Sequence, residues 1–170
     1  MSVPETEQAE HDARVHELVL AHLRSTGVSD TDEQAAAFVE RLRVGRAEEP
    51  PANDARLWGR TVAGLSTSLP SQQSTIVARQ LIAIVRRVRE PHRRTWAPGD
   101  PLPSPPPAKM ADLDWDEWLH QDQAGTGCYR MSAKDRRRNA ASIHDYEGVQ
   151  IWPFLLEGEG PFTEVAPTQR

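Results

Sequence analysis

Four successive segments of the first 90 residues carry apolar side chains at three- and four-residue spacing, and each is closed by glycine or proline. That repetition leaves few folds open. A helix with one apolar face must bury it against another element, and short connectors make neighbours in sequence into neighbours in space. In the first segment, from about Gln8, the residues Val15, Leu18, Val19 and His22 line one face, and Gly27 suits the left-handed cap that ends it. Ser29 and Asp32 read as the start of the second, resembling a capping box with Asp in place of Glu. Ala35, Phe38, Val39 and Leu42 follow, and Gly45 with Pro50 and Pro51 stops the run.

Asn53 or Asp54 can cap the third segment, whose stripe is Leu57, Trp58, Thr61, Val62 and Leu65 before Leu69-Pro70. The fourth runs from about Ser71 to Glu90 and is the most apolar. Val77, Leu81, Ile84 and Val88 form its stripe, Ile76, Ile82 and Val85 widen it, and Pro91 ends it. The pattern predicts a mainly α chain in which residues 1–90 form an antiparallel bundle of about four helices with the fourth at its centre.

The character changes at Pro91. Seven of the fourteen prolines fall between Pro91 and Pro107, so residues 91–110 read as a stiff polyproline II linker. Residues 111–170 then read as an irregular extension with one or two short helices. Asp112–Leu119 is the first, acidic, with Leu113/Trp118 or Trp115/Leu119 as its apolar edge. Ser132 and Asp135 start a basic second one through about Asp145, and Val149–Trp152 alternates like a short strand. With 38% apolar residues, part of such a chain is expected to need a partner for burial.

Charge is distributed in blocks. Residues 1–49 hold 11 acids and 5 bases, whereas residues 50–95 hold 2 acids and 8 bases. The basic block includes Arg79, Arg86, Arg87, Arg93 and Arg94, with Arg79 and Arg86 on one face of the fourth helix. A phosphate backbone could use that row, together with Arg136 and Arg137 further on. The competing reading pairs these arginines with the acidic helices. No aromatic residue interleaves with the row, which argues against base stacking.

Motifs with specific chemistry are scarce. Glu117-x-x-His120 has the spacing used by di-iron carboxylate helices, but no second copy exists. His16 and His22 miss the zinc-protease spacing. Gly125-x-Gly127 lacks the third glycine of a phosphate-binding loop and reads as a turn. A single cysteine, Cys128, excludes an intrachain disulfide and any cysteine-rich metal site, and it reads as a small apolar filler. No cofactor and no metal site is expected.

The aromatic residues say more. Four of the five tryptophans lie beyond the helical segments. Trp96, Trp115, Trp118, Tyr129, Trp152 and Phe154 are the residue types that anchor interfaces, so they are the expected partner-binding set. The resulting expectation is a non-enzymatic scaffold or accessory subunit that contacts another protein or a second copy of itself. Nucleic-acid binding through the fourth helix is the alternative. No membrane span and no signal peptide is visible, so a cytoplasmic protein is expected. Only Lys109 and Lys134 among 20 basic residues are lysine, the bias of a GC-rich bacterial or phage genome.

Overall fold

The computed structural model describes residues 5–48, 53–121, 127–133, 135 and 150–165. The chain divides into two compact units, Met1–His92 and Arg93–Arg170. Mainly α is the right class: the described residues hold five helices and a small antiparallel sheet.

The first unit contains α1 (Glu5–Thr26), α2 (Thr31–Ala47), α3 (Asp54–Leu65) and α4 (Ser71–Arg89). Helix α1 packs against both α2 and α4, and α3 packs against the same two. The apolar stripes meet inside: Val15, Val19 and Leu23 from α1, Ala35, Phe38 and Leu42 from α2, Leu57 and Leu65 from α3. Helix α4 is buried from Val77 to Arg86 except at Gln80, as its apolar content requires. The ends follow backbone chemistry. Gly27 takes a φ of 73° just past α1, and the Asn53 side chain accepts a hydrogen bond from the Arg56 N–H at the start of α3. The Ser29 start expected for α2 is not used. Asp30 precedes the helix with a φ of 53° and no side-chain cap bond, so α2 begins at Thr31, one residue later than a Ser29 cap would place it.

The second unit corrects the expectation most. In place of a linker and an irregular extension it holds β1 (Thr95–Trp96), β2 (Lys109–Ala111), β3 (Glu117–His120), β4 (Cys128–Met131), β5 (Gln150–Ile151), α5 (Trp152–Glu159) and β6 (Phe162–Glu164). The strands form one six-stranded sheet in the order β1-β6-β2-β3-β4-β5, and every pairing is antiparallel. Trp118 stands opposite both Met110 and Met131, so these three share a face. Against that face pack Trp96, Tyr129, Trp152, Leu155, Leu156 and Phe162.

The segment read as a spacer is therefore tied into this core. Trp96 and Pro107 are buried, and Leu102 packs on the aromatic cluster. The Trp152 indole donates to the Asp100 carbonyl at 3.2 Å, and the Tyr129 hydroxyl donates to the Pro107 carbonyl at 3.3 Å. Proline-rich backbone lacks N–H donors, yet its carbonyls remain acceptors, and buried aromatic hydroxyl and indole groups seek such partners.

Candidate functional site

The six residues expected to bind a partner separate into two groups. Trp96, Trp118, Tyr129 and Trp152 are at most 8% exposed and face one another. Trp96 meets Trp152 edge-on at 5.8 Å, and Trp118 meets Phe162 likewise at 6.3 Å. They are core rather than contact residues, because an aromatic face that closes on other aromatics keeps its area from solvent without a partner. Trp115 and Phe154 remain at the surface, Phe154 with 68% exposure.

Two further apolar side chains join them there, Leu119 and Ile151. Leu119 lies opposite Arg130, and Ile151 opposite Cys128, two residues along the same strand. The alternation of β structure therefore puts Leu119, Arg130, Cys128 and Ile151 on the side of the sheet away from Trp118 and Tyr129. Sequence reading missed Leu119 and Ile151. Its signal was present in Glu117-Trp-Leu-His120, where apolar and polar residues fit a strand as well as a helix, and four residues are too few to separate the two periods.

The acidic stretch before β3 is a turn. Asp112 is buried, and its Oδ1 accepts from the N–H groups of Asp114 and Asp116 at 3.0 and 2.9 Å. Its Oδ2 accepts from the Trp118 indole at 2.9 Å. The Trp115 N–H donates to the Asp112 carbonyl, closing the turn and leaving Trp115 with a φ of 63°. That conformation is costly for a bulky residue, so the carboxylate at its centre must hold it. Burial raises the Asp112 carboxyl to about 7, the hydrogen bonds from Trp118 and Asp114 oppose the rise, and the charges of Glu159 and Asp114 add to it. Beside this turn, Asp135 Oδ2 accepts from the Glu117 N–H and the Ser132 hydroxyl, and the Asp135 N–H donates to Ser132 Oγ. Ser132 and Asp135 thus make the mutual contact that their spacing predicts.

Glu117 and His120 lie on a strand, three residues apart, and so point to opposite faces. The spacing that suits a metal on a helix is lost. Among the described residues no group of three or more His, Cys, Asp or Glu side chains could hold a metal ion, and no helix is long and apolar enough to cross a membrane.

The basic row is also redistributed. Arg86 is 2% exposed and donates through Nε to Asp54 Oδ2 at 2.8 Å. Arg79 is buried with its guanidinium 5.1 Å above the Trp58 ring. A surface for phosphates cannot include side chains held in this way. Arg94 is exposed but engaged: it forms a bidentate pair with Glu164, both bonds 2.7 Å, and sits over Trp96. Arg87 is exposed and Arg93 half-buried, while Arg136 and Arg137, with the basic helix expected around them, lie outside the described residues. On α4, Arg86 and Arg89 both pair with Asp54 of α3.

Comparison of the chain with known protein families, characterised proteins and solved structures finds no match.

Proposed function

We propose that the protein is a non-enzymatic scaffold or accessory subunit that binds another protein, or a second copy of itself, through the sheet unit. The helical unit, read as an antiparallel bundle, supplies a stable base. The observation that carries this reading is the placement of exposed large apolar side chains. Trp115, Leu119, Ile151 and Phe154 all belong to the sheet unit, and in the helical unit only Val44 is comparable among the described residues. Exposed aromatic and branched residues concentrated in one unit mark interaction surfaces more often than catalytic ones. The nucleic-acid alternative draws less support, because Arg79 and Arg86 are committed to the interior.

The experiment compares the full chain with Phe154→Ser and with Leu119→Ser/Ile151→Ser. Each is followed by light scattering across a range of concentrations and by stoichiometric co-purification from the native host. The expected result is a defined dimer, or a 1:1 partner, that at least one variant loses while remaining folded. A monomer at every concentration with no stoichiometric partner defeats the reading.

A further inference from the structure

The sheet unit carries a groove of about 320 Å³ between the loop after β1 and the helix α5. Its apolar lining comes from both sides, Pro101 and Leu102 from the loop and Trp152, Pro153 and Leu156 from the helix. Trp152 and Leu156 are buried while Pro101 and Pro153 are exposed, so the groove has an apolar base and an open apolar edge. The loop wall is fixed by its own bonds. The Asp100 N–H donates to the Ala97 carbonyl at 3.0 Å, the Ala97 N–H donates to Asp100 Oδ2 at 2.8 Å, and the Trp152 indole holds the Asp100 carbonyl. Gly99 supplies the φ of 96° found inside this turn. A Cβ at Gly127 would lie 2.7 Å from Leu102 Cδ1, so the seat of Leu102 depends on that glycine. The groove is thus built in advance, which spares a ligand the cost of ordering the loop.

The charged groups that line it have one sign. Asp100 and Glu157 are acids, and no base lines the groove among the described residues. The Asp100 carboxylate is engaged in the turn. Glu157 is exposed and makes no ion pair or hydrogen bond among the described residues. Phe154 stands three residues before Glu157 on α5 and is 68% exposed, which places an aromatic side chain beside the carboxylate. An apolar trough that ends on a carboxylate and an aromatic ring matches a cation carried on a hydrocarbon stem.

We propose that this groove takes a lysine or arginine side chain from a basic segment of a partner protein, with the stem on the apolar lining and the charged head at Glu157. The proposal rests on the reading of the sheet unit as the partner-binding unit, and it narrows that partner to a different protein. A second copy is disfavoured, because a two-fold contact would set this acidic groove against an identical acidic groove.

The test is a proton–nitrogen correlation NMR titration of the full chain with N-acetyl-arginine methylamide and N-acetyl-lysine methylamide, and with N-acetyl-norleucine methylamide as the neutral match. Saturable shifts of the Trp152 indole and of the Leu102 and Glu157 amides are expected for at least one cationic probe, with a Kd on the order of millimolar for so small a ligand. The norleucine probe should bind about threefold more weakly. Glu157→Gln should weaken the cationic probe by about the same factor, the scale of a solvent-facing ion pair. Glu157→Lys should abolish cationic binding, and the exposure of Glu157 lets both variants keep the fold. The proposal is overturned by an absence of saturation with both cations, by equal affinity for norleucine, or by undiminished binding in Glu157→Gln. It is equally overturned if the chain dimerises and the dimer closes the groove to the probes. The probes need no native partner, so a failed titration counts against this groove alone, whereas the absence of any co-purifying partner counts against the reading on which it rests.

Discussion

The two units bury acidic side chains by different means. In the helical unit each buried aspartate meets arginine: Asp12 is held by Arg43 and Arg46, and Asp54 by Arg86 and Arg89. In the sheet unit Asp112 is held by neutral donors, an indole and two backbone amides. A guanidinium keeps a carboxylate charged in spite of burial, whereas neutral N–H groups compensate it less completely. For Asp12, burial works against the charge, but the hydrogen bonds from Arg46 and Arg43 outweigh it and hold the carboxyl at about 2. For Asp112, burial wins, and the carboxyl rises to about 7.

The contrast can be broken most forcefully at Asp54. Asp54→Ala removes the anion facing a guanidinium that is 2% exposed, and it should cost about 3–5 kcal/mol, the scale for removing one partner of a buried pair. Denaturation followed by circular dichroism at the helical signal would show it. A loss below about 1 kcal/mol would mean that the buried pair contributes little.

A somewhat smaller effect follows from pH. Asp112 has a folded pKa above its unfolded value near 4, so the folded state binds the extra proton between those limits. Its contribution is therefore complete below about pH 4 and is lost as pH rises through about 7, by on the order of a few kcal/mol. Asp12 acts in the opposite sense. Its contribution is present above pH 4 and is lost as pH falls toward about 2. Denaturant unfolding followed by tryptophan fluorescence, which four of the five tryptophans make a report on the sheet unit, should weaken from pH 4 to 7. Asp112→Asn should flatten that slope. Trp118→Phe, which deletes the indole donor, should move the midpoint upward, and an unchanged midpoint would remove the indole from the account.

The smallest effect sharpens how the helical unit is started. Asn53→Ala removes the cap bond to the Arg56 N–H and should lower stability by about 1 kcal/mol, measured as a shift of the urea midpoint.

Much of the helical unit could be read directly from its residues. Spacing located all four helices, Gly27 and Asn53 marked two of their ends, and the apolar content of α4 announced its burial. Each of these signals is local, set by 3.6-residue periodicity and by termini whose unpaired N–H groups need partners. The boundaries moved where two chemistries competed, as at Ser29 and Asp30. The candidate contact surface was half legible: Trp115 and Phe154 were named from residue type, whereas Leu119 and Ile151 were not.

What the sequence determined by itself was therefore the helical class of the first unit, the presence of a large aromatic store in the second, and the exclusion of an intrachain disulfide by the single cysteine. Tertiary structure alone decided that this aromatic store is a core, that a proline-rich stretch belongs to a sheet, and which arginines are buried. The physical reason is the range of the interactions. Strands of two to four residues carry too little pattern to announce themselves, and they exist because partners up to dozens of residues away complete their ladders, as Trp96 and Phe162 do for β1 and β6. Likewise, an arginine is solvated or buried according to the carboxylate that folding brings to it, and Asp54 reaches Arg86 from 32 residues earlier in the chain.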